Sequence, residues 1–310
     1  MSQSFQFQVG LSHIEFTQKF GSESKCQRHF EAHKWPEGFT CRQCSCKEYS
    51  SVSKRGSQLI YHCKNCRKQE SLRSGTLLEG NRQPLLKWYW IFHLMSQSKN
   101  CISALELHRL VDIPYSSTLR IKHKIMQMMF ENDKELIGDY VEINETYLEK
   151  SPVEQGKQQT ASESYRPFII ALQTSSEGRP IRIKLSPVAN FKRQNMQSWL
   201  EGNVCDCCET VCDTQHCYEN MCAICKNKTH MIVLPKEENK SGPNWMNIIL
   251  SNIKASIYGT FHSINYKSYA NLYLADIQYR FNRRFNLKEM FYGLISCAVR
   301  PPVKQSALLE

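Results

Sequence analysis

The chain has 310 residues, 41% of them hydrophobic, enough for two or three packed domains. Lys and Arg outnumber Asp and Glu by 40 to 29, a formal charge of +11, which favours a polyanion, usually nucleic acid, as partner. No run approaches the roughly 18 consecutive apolar residues of a membrane helix, and the opening MSQSFQFQVGLSHIEF lacks the charged start and apolar centre of a secretory signal.

In chain order, residues 1–35 read as a helical lead-in, with Phe16 and Phe20 at helical spacing. Residues 36–80 are rich in turns and hold two cysteine pairs, Cys41-x2-Cys44 and Cys63-x2-Cys66. Two residues between cysteines let one tight turn aim both sulfurs at a tetrahedral Zn²⁺, and two such turns close the shell. The insert SVSKRGSQLIYHC predicts a hairpin between the knuckles. So small a segment has little core, so a structural zinc would supply its folding free energy. Lys54, Arg55, Lys64, Arg67 and Lys68 around it suit phosphates, or form a solvated rim. Fifteen cysteines without a secretory signal point to reduced thiols and a cytoplasmic setting.

Residues 82–135 read as helices. PLLKWYWIFHLM predicts a core helix, and ISALELHRLVDIPYSSTLRIKHKIMQMM two more broken at Asp112-Ile113-Pro114, with Ser116 or Ser117 as cap. The second carries Arg120, Lys122 and Lys124, as the recognition helix of a helix-turn-helix would; a plain packing hairpin is the alternative. After a polar loop at 151–164, residues 138–300 alternate apolar strand-like runs with helices, and the whole predicts a multidomain α+β protein. VCDCCETVCDTQHCYENMCAIC, Cys205 to Cys225, includes Cys222-x2-Cys225 at knuckle spacing; free thiols on and around strands are favoured over a second zinc. Arg280, Arg283 and Arg284 in YRFNRR form a candidate grip on the DNA backbone, or a surface helix with inward aromatics.

Several stretches together resemble one family. FTQKFGSESKCQRHF, WPEGFTCRQC, RSGTLLEGNRQPLLKWYWIFHLM, SKNCISALELHRLV and GTFHSINYKSYANLYLADIQYRFNRR, in this order over residues 12–285, are similar to bacterial insertion-sequence transposases with an N-terminal zinc ribbon. The resemblance implies an RNase H-like catalytic domain that cuts and joins DNA strands with two Mg²⁺ or Mn²⁺ ions about 4 Å apart. It implies a homo-oligomer acting on terminal inverted repeats and target DNA. Position by position, it implies the first metal ligand at Asn144 in VEINETY and the second at Asp213 in TVCDTQHCY. NWMNIILSNIKASIYGTFH carries the Asn–Lys variant of the third position, Asn252 and Lys254, and His262 matches a family histidine. On helical spacing Trp245, Ile248 or Ile249, and Asn252 share a face expected to meet the sheet, with Lys254 about 200° around from Asn252.

The first ligand is an aspartate in the family and asparagine here. An amide oxygen brings no charge, and without a bridging anion two divalent ions repel each other. Glu142 shares a strand face with Asn144, but its Cα is about 7 Å away. The expectation is a transposase by descent with little strand-transfer activity. The alternative is a silent DNA-binding relative serving as a repressor or domesticated regulator.

Overall fold

The computed structural model describes residues 10–97, 101–149, 165–205, 208–212, 231–233, 244–261 and 266–301. The chain divides into two compact units: residues 1–132 with 283–310, and residues 133–282.

The first unit opens with α1 (His13–Phe20) and α2 (Glu23–Lys34), started by Ser12 and Ser22, whose hydroxyls accept from the Glu15 and Lys25 N–H groups. A three-stranded antiparallel sheet follows: β1 (Tyr49–Arg55), β2 (Gln58–Cys63) and β3 (Gln69–Ser71), in that order. Arg55 pairs with Gln58 across the turn Gly56-Ser57, where Gly56 takes φ 62, as a two-residue hairpin requires. The insert between the knuckles is thus the expected hairpin.

Next come α3 (Leu85–Gln97), α4 (Ala104–Val111) and α5 (Tyr115–Glu131). Trp88, Tyr89, Ile91, Phe92 and Met95 leave α3 apolar nearly all round, so it is the central helix of this unit. The break between α4 and α5 falls where the sequence places it. Asp112 takes the left-handed conformation (φ 53), and its N–H closes onto the His108 carbonyl. The cap does not: α5 starts at Tyr115 after Pro114 with no side-chain cap, and Ser116 and Ser117 lie inside its first turn.

The second unit holds a five-stranded sheet in the order β6-β5-β4-β7-β8. The strands are β4 (Tyr140–Glu149), β5 (Tyr165–Thr174), β6 (Pro180–Pro187), β7 (Glu209–Cys212) and β8 (Met231–Val233). The first three form an antiparallel meander, whereas β7 runs parallel to β4 and β8 parallel to β7. A parallel neighbour needs a crossover, and α6 (Arg193–Asn203) lies on that path. Met196, Trp199 and Leu200 of α6 pack on Val141, Ile143, Ile169 and Ala171. The other face is covered by α7 (Trp245–Ser256), a π-helical turn (Ile257–Phe261) and α8 (Tyr266–Asn282). Met246, Ile249, Ile253, Ile257 and Leu274 meet Leu148, Phe168, Ile170 and Leu172 there.

The last helix, α9 (Leu287–Ala298), departs from the single domain expected over 138–300. It belongs to the first unit: Phe291 packs on Phe16, Phe20 and Tyr89, and the Leu77 N–H donates to the Ala298 carbonyl at 3.0 Å. Its apolar stripe of Met290, Phe291, Leu294, Ile295 and Ala298 suits the aromatic wall of the first unit. No helix among the described residues is long and apolar enough to cross a membrane.

Candidate functional site

The sulfurs of Cys41, Cys44, Cys63 and Cys66 all lie within 4.8 Å of one another. Cys41 Sγ is 3.6 Å from Cys66 Sγ, and Cys44 Sγ is 3.5 Å from Cys63 Sγ. A tetrahedron with Zn–S bonds of about 2.3 Å has edges near 3.8 Å, so the donor set fits Zn²⁺. The two knuckles repeat the same hydrogen bonds. Cys41 N–H donates to the Cys46 carbonyl and Ser45 N–H to the Cys41 carbonyl, as Cys63 N–H does to Lys68 and Arg67 N–H to Cys63. Ser45 (φ 56) and Arg67 (φ 58) take the left-handed conformation that each turn needs.

The knuckle amides favour thiolates: the Cys46 amide lowers the Cys44 pKa, and the Cys66 amide lowers that of Cys63. At Cys66 the Lys68 amide lowers the pKa, but burial and the neighbouring sulfurs push it up to about 12. Four thiolates this close repel one another, and a divalent cation removes the conflict.

Sequence reasoning missed how the ribbon is anchored. Glu70 of β3, 3% exposed, accepts from the Arg42 N–H inside the first knuckle at 3.0 Å and pairs with Lys34 of α2. The Lys34 ammonium also donates to the Ser71 and Ser74 carbonyls and sits 4.4 Å from the Trp35 ring centre. Burial lowers its pKa to about 8 against the pull of Glu70. At Gly75 (φ +68) an added Cβ would lie 2.6 Å from Arg42 Cζ, so glycine here lets the arginine lie across the turn.

In the second unit Asn144 lies on β4, 8% exposed, opposite Ile170. Ile170 and Leu148 belong to the core covered by α7, so the alternation of a strand turns Asn144 and Glu142 toward that helix. Its chain neighbour Ile143 pairs with Cys212, the last residue of β7. Asp213, Cys207, Cys217, Cys222, Cys225 and His262 lie outside the described residues. Among the described residues the ribbon cysteines are the one group of His, Cys, Asp or Glu side chains close enough to hold a metal. Cys208 is 2% exposed, packed in the core under α6.

The expected inward face of α7 is corrected. Its buried stripe is Met246, Ile249, Ile253 and Ile257, while Ile248 is 40% exposed and Asn252 is exposed. The wholly apolar stripe wins the sheet and leaves Asn252 about 100° away, on the open flank of the helix. Lys254 is half-buried.

The basic residues divide as the sequence did not foresee. Arg120 of α5 is exposed, but Lys122 is 0% exposed, on the apolar side with Ile121, Ile125 and Met126. Lys124 spends its ammonium on the Leu77 and Glu79 carbonyls. Arg280 is not a surface grip: 6% exposed, it binds the buried Asp276 carboxylate at 2.7 Å. Arg283 and Arg284 follow α8 and are half-buried, Arg284 lying 4.2 Å from the Phe285 ring centre.

Comparison with known families follows the same division of the chain. A transposase zinc-ribbon domain matches residues 21–69, and an ISXO2-like transposase domain matches residues 135–282. No curated protein matches the chain. A ribbon followed by such a domain defines an insertion-sequence transposase with an N-terminal zinc ribbon. The chain carries both domains in that order, which implies DNA as its partner and, with the four-cysteine cluster, zinc as its structural metal.

Proposed function

We propose that the chain binds the terminal inverted repeats of a DNA element as a homo-oligomer, with residues 133–282 as an RNase H-like domain. Asn144, Asp213 and Asn252 would be its metal site and Lys254 a phosphate holder. The observation that carries this reading is the strand pairing beside Asn144. Cys212, the residue before Asp213 in the chain, pairs with Ile143, the residue before Asn144, and β4 and β7 run parallel there. Asn144 also faces the side of the sheet covered by α7, while Asn252 itself stands on the exposed flank of that helix. The sheet, an antiparallel meander followed by two parallel strands, supports the fold assignment. The short αL turn between α4 and α5 supports a helix-turn-helix, with Arg120 as its exposed cation.

The donor set does not fit a pair of Mg²⁺ ions. One carboxylate and two amides can hold a single Mg²⁺ that keeps its waters, but they bring too little charge to hold two together. Glu142 shares the face, yet its strand neighbours are Leu172 and Val211, short of the Ile143–Cys212 pair. The chain therefore binds DNA ends with little strand transfer of its own. The second reading, a silent relative acting as repressor or regulator, is favoured by the same residue, Asn144.

The test is cleavage of a duplex carrying the flanking inverted repeats, in Mg²⁺ and in Mn²⁺, by the full chain and by Asn144→Asp. Binding without cleavage, with cleavage gained in Asn144→Asp, is the expected result. Efficient cleavage by the unaltered chain would overturn the inactivity. No gain in Asn144→Asp, with binding intact, would favour the regulator.

A further inference from the structure

β1 is the one strand of the ribbon sheet exposed along its whole length. It lies at the sheet edge, with Tyr49 47% and Val52 41% exposed. Residues 49–69 contain Lys54, Arg55, Lys64, Arg67 and Lys68 and no carboxylate. Lys64 is paired with Glu48, but among the described residues Lys54, Arg55, Arg67 and Lys68 have no acidic partner within 4 Å. Lysine on an edge strand also blocks aggregation, but Arg67 and Lys68 extend the cationic surface beyond β1 to the second knuckle, and a surface of that reach suits a polyanion.

The cations sit in two groups. Lys54 and Arg55 are at the hairpin tip, and Arg67 and Lys68 follow Cys66 in the second knuckle, at the far end of β2. Tyr49 to Arg55 spans about 20 Å at the usual rise per strand residue. Between the groups the accessible surface is that of β1, because β2 sets the buried Ile60 opposite Ser53. Ser51, Ser53 and Arg55 alternate on β1, and the Ser53 hydroxyl lies 3.0 Å from His62 Nε2 on β2.

We propose that the β1–β2 hairpin is the DNA reader of this chain, with its exposed edge strand β1 laid in the major groove. Ser51, Ser53 and Arg55 face the base edges, while Lys54 and Lys68 hold phosphates at the groove margins. A major groove about 12 Å wide admits β-strands, and arginine is the common bidentate partner of guanine. The metal knuckles keep the ribbon rigid. By contrast α5 has Lys122 buried and Lys124 engaged with backbone, leaving it one exposed cation of its three candidates. The proposal rests on DNA being the partner and goes beyond it in naming the surface.

The test uses the full zinc-loaded chain. Anisotropy titrations across a salt series would use a labelled duplex about three helical turns long and of arbitrary sequence. Selection from randomised duplexes would run in parallel. Lys54→Ala/Lys68→Ala is expected to flatten the log Kd against log salt slope by about 1.8, since each phosphate contact contributes about 0.9. Arg55→Ala is expected to weaken the selected sequence about tenfold or more and to relax one guanine position. Zinc content reports folding, and Lys54→Gln/Lys68→Gln replaces the alanine pair if that pair loses metal.

An unchanged slope and motif in the hairpin variants, with the loss falling on Arg120→Ala, would overturn the proposal and leave DNA binding standing. Failure of the unaltered chain to bind any duplex would overturn both. Hairpin-dependent binding of single-stranded RNA alone would also overturn it.

Discussion

Asn282 stands beside Ile183 as a neighbouring strand would. Its amide oxygen accepts from the Ile183 N–H at 2.8 Å, and its Nδ2 donates to the Ile183 carbonyl at 3.1 Å. One turn earlier, Gln278 Oε1 accepts from the Leu185 N–H at 2.7 Å. Both amides also bind the buried Asp133 carboxylate, at 2.9 Å and 2.7 Å. The outer edge of β6 is thus closed by two side chains of α8 in place of a further strand, which removes an edge open to aggregation.

Asn282→Ala should therefore cost about 1–3 kcal/mol by leaving the Ile183 backbone groups unpaired. Urea unfolding of the full chain checks the loss, and light scattering should show faster aggregation. Gln278→Ala should do the same, with the double variant non-additive because both amides share Asp133.

Arg280→Ala should cost about 3–5 kcal/mol, because it strands the Asp276 carboxylate in the core. At a salt and temperature where the variant remains folded, the slope of DNA affinity against salt should not change. A DNA grip would give the opposite pattern.

Metal analysis of the purified chain should find one zinc per protomer, held by Cys41, Cys44, Cys63 and Cys66. Cys63→Ser or a strong chelator should abolish the ordered ribbon, seen as lost amide protection over residues 41–70, since metal binding supplies its folding energy. Two zinc ions per protomer would assign a second site to the cysteines from 205 to 225.

Ser45 occupies a left-handed position (φ 56) that glycine takes without steric cost. Ser45→Gly should raise the melting temperature of the zinc-loaded chain slightly, by relief of about 1 kcal/mol of strain less the extra entropy of glycine. Ser45→Val should lower it, because a β-branched side chain resists that conformation.

Burial lowers His29 and His93 to about 4, helped by His33 and Lys19 in the first case and His13 in the second. The folded-state values lie below the unfolded value near 6.5, so below that pH the unfolded chain binds more protons. Stability should fall as pH drops from about 6.5 to 4, and His93→Gln should blunt the fall in a series of melting curves. His93 Nε2 lies 3.1 Å from His13 Nδ1, so glutamine keeps a polar partner without taking up a proton.

Much of the fold is legible in the sequence because local chemistry writes it. The C-x2-C pairs, the hairpin turn at Gly56, the break at Asp112 and the apolar α3 each depend on a few adjacent residues. Knuckle geometry needs two turns and one ion, and cysteine spacing alone specifies it. The order of the family stretches likewise locates the ribbon and the transposase domain.

Only the tertiary structure decides where the cations and amides point. Lys122 and Arg280 read as surface charges because helical spacing alone does not say which side of a helix meets a neighbour. Two apolar stripes compete on α7, and the sheet selects Met246, Ile249 and Ile253, which turns Asn252 outward. The closing of β6 by Gln278 and Asn282 joins residues about a hundred positions apart, and no local pattern encodes it. Ligation by neighbouring cysteines is a short-range property of the chain, whereas burial is settled by the packing of distant segments.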